Sequence, residues 1–184
     1  MENNAMSAGV KRGGLFNTAE IKILICYILS AIDEPVPVNM LANVLHFEGI
    51  ANAFEVSDAV VSLYKSGKIM QTDEKEDTYV ITNNGREIAS TLKTSLSFSV
   101  KEKAYTAAIK MMSRFKNAKS TDFEITKEDT GTYITCTALD GTKPFFSIKL
   151  LVTDEAQANH IKEKFLSDPS NIYCELIELL TKQD

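Results

Sequence analysis

The residues best placed to do chemistry lie between Asn52 and Lys65. Val56, Ala59, Val60 and Leu63 fall on one side of a helical wheel, which leaves Glu55, Ser57, Asp58, Val61, Ser62 and Lys65 facing outward. Asn52 opens this segment at a capping position, with Glu55 three residues further on. A helix N-terminus with Asn and Ser beside it offers donors to a phosphate or a base edge. Base edges are read mainly by Arg, Lys, Asn and Gln, whereas this outward row holds two carboxylates and one lysine. Two readings stay open: an element that contacts nucleic acid, or one that packs or docks a protein.

Other cations widen the candidate set for nucleic acid to Lys11, Arg12, Asn52, Ser57, Ser62, Lys65, Lys68, Lys75 and Arg86. Lys75 stands among Asp73, Glu74, Glu76 and Asp77, a tip whose carboxylates repel a phosphate backbone. The whole chain carries a net charge of −5, with a pI near 5.2, which excludes binding by bulk attraction. The balance is −4 over residues 1–98 and −1 over residues 99–184. Positive charge gathers instead at Lys101, Lys103, Lys110, Arg114, Lys116 and Lys119, opposed locally only by Glu102. Those side chains either lie along a DNA backbone or feed an acidic partner, or they rest their stems beside a buried stripe with their heads in water.

No catalytic constellation stands out. Motifs for a nucleophile elbow, a phosphate loop, a zinc protease or a dinucleotide fold are absent, and His46 and His160 have no evident carboxylate neighbour in sequence. Cys26, Cys136 and Cys174 are widely spaced in apolar runs, which argues against a disulfide framework or a CxxC zinc pair. Neither catalysis, a metal nor a cofactor is expected. The most apolar run, Ile21 to Ile32, includes Lys22 and falls short of the ~20 residues of a spanning helix. Met1 to Gly14 is polar and small, unlike a signal peptide, so no membrane association and a cytoplasmic location are expected.

The elements that must position these residues follow from capping and periodicity. Asn17 with Glu20 caps a first helix that buries Ile21, Leu24, Ile25, Ile28, Leu29 and Ile32. Asp33-Glu34-Pro35 stop it, and Pro35 and Pro37 keep the connection extended. A second short helix runs from Val38 to about Leu45 and ends by Gly49; the third stops at Gly67. Lys68–Gln71 and Thr78–Thr82 read as a strand pair, after which Thr82 caps a fourth helix through Ile88 and Leu92. Three short helices, a hairpin and a further helix follow the order of a winged helix-turn-helix, with the third helix offered to a groove.

The second half reads as a long helix over Ser99–Lys119, opened by Ser99 and Glu102, then three antiparallel strands and two helices. Asp140-Gly141 marks the hairpin between the last two strands, Asp154 with Gln157 caps one closing helix, and Asp168-Pro169 starts the other. The fold class is therefore α+β, with a flexible arm over 1–14, a winged helix-turn-helix over 15–97 and an α+β domain over 98–184. Ala104, Ala108, Met111 and Phe115 share a stripe of the long helix suited either to internal packing or to a homodimer seam.

Several segments also resemble a known family: Gly14-Leu15-Phe16, the run Glu20 to Pro35, Ala53-Phe54, the run Tyr79 to Glu87, and Ile172 to Leu180. Together they are similar to a Gram-positive bacterial domain of unknown function, described as winged-helix, DNA-binding and transcriptional-regulator-like. The resemblance covers nearly the whole chain from Gly14 and implies that both halves form one family architecture. The chain departs from the family pattern at Ala53, where an aromatic is usual before Phe54. It departs again at Ser57, where a glutamine is usual; if that glutamine reads a base, this chain lacks the reader. The expected function is a DNA-binding transcriptional regulator acting as a homodimer on double-stranded DNA, with its effector unidentified. The alternatives are a winged-helix protein-interaction module that does not bind DNA, and a small-molecule sensor working through the C-terminal domain.

Overall fold

The computed structural model describes residues 5–73 and 77–182. The chain divides between Met111 and Met112 into two compact units. In chain order the elements are α1 (Thr18–Ile32), β1 (Val36–Pro37), α2 (Val38–Phe47), α3 (Ala53–Lys65), β2 (Ile69–Asp73), β3 (Thr78–Ile81), α4 (Asn83–Leu92), α5 (Phe98–Lys119), β4 (Thr121–Glu128), β5 (Gly131–Asp140), β6 (Lys143–Val152), α6 (Glu155–Ser167) and α7 (Pro169–Thr181). Among the described residues this is a mixed α+β chain of seven α-helices and two three-stranded antiparallel sheets.

In the N-terminal unit the Asn17 side chain accepts the Ala19 N–H at 2.8 Å and starts α1 as its spacing predicts. Asp33 ends the helix in the left-handed region, its N–H donating to Leu29 O. Ile21, Leu24, Ile25, Ile28 and Leu29 are buried, and α1 packs against α3 and α4. Cys26 joins them, whereas Ile32, the last residue of the helix, is half-buried. The hairpin β2–β3 pairs Ile69 with Ile81 and Gln71 with Tyr79, and slips between Gln71 and Asp73.

The extended connection at Pro35–Pro37 does more than its prolines predict. Val36 and Pro37 form a strand against Tyr79 and Thr78, giving a sheet of order β1-β3-β2. Pro37 has no N–H to leave orphaned, and it sits on an edge strand where that defect costs least. Two residues carry no period, so this strand has no signal of its own in the sequence.

In the C-terminal unit β5 is central, and buried side chains alternate along it. Ile134, Cys136 and Ala138 are buried together with Phe146, Val152, Ala158 and Phe165, and Phe123, Ile148, Ile161, Ile172 and Leu176 pack around them. Leu150 stays exposed on the edge strand β6, where it has a neighbouring strand on one side only. Gln157 N donates to Asp154 Oδ1 at 2.7 Å while Gln157 Oε1 accepts the Thr153 N–H, so α6 is capped by the residues its spacing indicates. Asp168 likewise caps α7 ahead of Pro169. On the last helix Ile172 and Leu176 reach the core, whereas Ile177, Leu179 and Leu180 are exposed.

The start of α5 is corrected. Ser97, not Ser99, supplies the cap, its Oγ accepting the Val100 N–H at 3.4 Å. The helix begins at Phe98, one residue earlier than the Ser99…Glu102 pairing predicts, which puts Ser99 inside the first turn.

Candidate nucleic-acid interface

Asn52 caps α3 through Oδ1, which accepts the Phe54 N–H at 2.9 Å. Its amide Nδ2 donates to Ala8 O at 2.8 Å, and the residue is buried. Both polar atoms of Asn52 are thus engaged inside the chain, and its burial takes the side chain away from a base edge. Glu55 does not close a capping box on its own helix. Its Oε1 accepts the Met6 N–H at 2.8 Å, because the arm comes close enough to use that carboxylate instead. Further bonds run from Lys11 N to Gly49 O and from Leu15 N to Ile50 O, so the arm follows the α2–α3 turn.

The outward stripe of α3 consists of Phe54, Asp58, Val61, Ser62 and Lys65, at helical spacing. Phe54 is 74% exposed and Val61 46% exposed, and an open hollow of about 450 Å³ is lined by Asp58, Val61, Ser62, Lys65 and Ser66. Ser57 Oγ donates back to Ala53 O at 3.1 Å and is half-buried. Phe54 is absent from the outward set read from sequence, although it lies on the same wheel stripe as Asp58 and Lys65. The exposed Phe47, at the other end of the α2–α3 turn, has no signal beyond its apolar character.

The cations are dispersed. Arg86 pairs with Asp33 at the end of α1. Lys65 is exposed and Lys68 half-buried near the C-terminal end of α3. Lys75 lies outside the described residues. Lys11 and Arg12 are exposed on the arm.

On α5 most of the basic residues have partners, Lys119 within the helix itself and the others beyond it. Lys101 Nζ donates to Lys93 O at 2.9 Å, Lys103 Nζ to Glu48 O at 2.7 Å, Arg114 pairs with Glu163, and Lys119 Nζ lies 4.5 Å from the Phe115 ring centre. Ala104 and Ala108 have almost no accessible surface, and Met111 and Phe115 are half-buried.

Among the described residues, His, Cys, Asp and Glu nowhere gather three at a point where a metal would sit, and no helix is long and apolar enough to cross a membrane. Burial pushes the Cys26 thiol up to about 11, partly offset by the positive charge of Lys68, and burial alone raises Cys136 to about 11. Cys174 is exposed. A thiol reagent at neutral pH is therefore expected to modify Cys174 rapidly and the other two only on unfolding. Rapid modification of more than one thiol per native chain contradicts this. The raised values also fix a sign. The two buried thiols favour the fold below about pH 9, and that stability is lost as pH rises from 9 towards 11, because the unfolded chain ionises first.

Residues 21–180 match the family model for a domain of unknown function, DUF4364, and the chain belongs to that family. No curated protein and no solved structure matches it.

Proposed function

We propose that the N-terminal unit is a winged helix-turn-helix and that the protein is a DNA-binding transcriptional regulator acting as a homodimer, with α3 as its reading element. The observation that carries this reading is the division of α3 between two faces. Val56, Ala59, Val60 and Leu63 are buried, while Phe54, Asp58, Val61 and Lys65 stand clear, and the β2–β3 ribbon follows at once. Such a helix with a ribbon beside it is the arrangement that meets a major groove. Exposed Ile177, Leu179 and Leu180 on α7 support a second copy as partner, since exposed apolar groups mark interaction surfaces.

Affinity then rests on few phosphate contacts: Lys65, Lys68, Lys11 and Arg12. Four contacts give a slope of about −3.6 in log affinity against log salt, so raising salt from 50 to 200 mM weakens binding about a hundredfold. Fluorescence anisotropy on pooled genomic duplexes tests this. Asp58→Lys removes a carboxylate from the outward stripe without touching the arm, which Glu55 holds. This variant is expected to bind duplex about tenfold more tightly at low salt. No binding at low ionic strength, or weaker binding by Asp58→Lys, removes the proposal.

A second reading has its own observation. Phe54, Val61, Tyr64 and Met70 are exposed apolar side chains on and beside α3, with Asp58 among them, a composition that suits a basic protein partner better than a phosphate backbone. In that case the wild type retains a protein rather than DNA, and Asp58→Lys loses it.

A further inference from the structure

We infer that the N-terminal unit carries a phosphoryl-binding cleft between the arm, the α2–α3 turn and the first turn of α5. It holds about 160 Å³, and its lining includes Lys11, Arg12, Gly14, Glu48, Ser99 and Lys103. The space is large enough for one tetrahedral oxyanion with part of its hydration.

The charge of the cleft runs against that of the chain. Lys11, Arg12 and Lys103 face a single carboxylate, Glu48, in a protein of net charge −5. Glu48 is already engaged: Lys103 Nζ lies 3.2 Å from its Oε2 and 2.7 Å from its carbonyl oxygen. Lys11 and Arg12 have no ion-pair or hydrogen-bond partner for their side chains among the described residues.

Lys11 is also held in place. Its N–H donates to Gly49 O at 2.8 Å, and its stem lies across Gly49 so closely that a Cβ there would sit 2.5 Å from Lys11 Cγ. The turn Lys11–Gly14 is closed by Gly14 N donating to Lys11 O at 2.9 Å, with Gly13 at φ +87. Gly14 itself packs on the carbonyls of Gly49 and Ile50, where a side chain has no room. A cation whose stem is fixed before binding loses less freedom on meeting an anion. Ser99, in the first turn of α5 on the same wall, adds a hydroxyl donor and the positive end of a helix.

The phosphoryl group has two possible sources, a DNA backbone or a free phosphorylated solute, and the cleft chemistry is the same for both. The test is a titration of the full chain with inorganic phosphate at constant ionic strength, followed by amide NMR at Gly13, Gly14 and Ser99. Saturable shifts are expected there, weakened about tenfold or more in the Lys11→Gln/Arg12→Gln double variant and unchanged in Lys110→Gln. The proposal is overturned by the absence of saturable shifts at those amides, or by shifts that the double variant leaves intact. In a second arm, a duplex of about 20 base pairs replaces phosphate. Shifts at the same amides assign the group to the DNA backbone; phosphate shifts without duplex shifts assign it to a free solute. The outcome is separable from the regulator reading, since loss of all duplex binding sinks that reading and leaves the phosphate titration standing.

Discussion

Phe165→Ala is expected to remove about 3–5 kcal/mol from the stability of the C-terminal unit, the range for truncating a fully buried phenylalanine. Phe165 is 2% exposed and is the more deeply buried of the two phenylalanines in its core. It stacks on Phe146 at 5.8 Å with an 18° interplanar angle, and meets Phe123 edge-on at 5.8 Å. These two rings come from β6 and β4, the outer strands of the sheet, so one side chain of α6 ties both edges to the helix layer. Small domains have about 5–15 kcal/mol in total, so the loss is a large share of what holds the unit folded. Urea unfolding of the full chain followed by circular dichroism measures it. Phe165→Leu, which keeps most of the volume, is expected to cost about 1.5 kcal/mol or less. A Phe165→Ala variant within about 1.5 kcal/mol of wild type would show that the aromatic cluster is not what anchors α6.

Gly85→Ala is the second large effect, and its sign is the instructive part. In a helix interior this change ordinarily stabilises by about 0.5–1 kcal/mol, because alanine restricts the unfolded chain. At Gly85 a Cβ would sit 2.1 Å from Lys68 O and 2.5 Å from Ile81 Cδ1. The Ile81 side chain can turn, but the carbonyl is backbone and is itself held, accepting from Thr82 N at 3.1 Å and Thr82 Oγ1 at 2.9 Å. Thr82 in turn caps α4 through Gly85 N at 3.3 Å. Relieving the clash therefore means moving α4 off the start of β2 and loosening its own cap. Overpacking of this kind costs about 1–3 kcal/mol or more, which outweighs the helix preference, so a net loss of about 2 kcal/mol is expected. Asn84→Ala, one residue earlier and exposed, is the control and is expected to be neutral or slightly stabilising. A Gly85→Ala variant as stable as wild type would mean that α4 does not approach β2 this closely.

The two effects differ in how far the sequence foretells them. Phe165 lies in a helix whose cap, Asp154 with Gln157, is legible three residues apart, but its stacking on Phe146 needs the sheet and helix brought together across the chain. Gly85 reads as an ordinary weak point in a helix; only the approach of Lys68 O makes it obligatory. The same contrast runs through the candidate interface. Asn52 is legible as a cap because the cap is made two residues away, whereas its second bond, to Ala8 O, spans a sequence gap that no local pattern encodes. Sequence likewise leaves the lysines of α5 between two uses. The pairings of Lys101, Lys103 and Arg114 with Lys93 O, Glu48 and Glu163 show where those three cations are engaged.

What the sequence by itself determined is local. Helix starts at Asn17, Asn52, Thr82, Asp154 and Asp168, the Asp140-Gly141 hairpin, and the alternation of Ile134, Cys136 and Ala138 all follow from side chains bonding within a few residues or from the period of a strand. The tertiary structure decided what depends on distant partners: the β1 strand at Val36–Pro37, the diversion of Glu55 to Met6 N, the ion pair that occupies Arg86, and the gathering of Lys11, Arg12 and Lys103 around one cleft. The physical reason is range. Capping and periodicity act over three or four residues, whereas an ion pair or a cleft wall joins residues tens of positions apart, set together only once the core has chosen the packing.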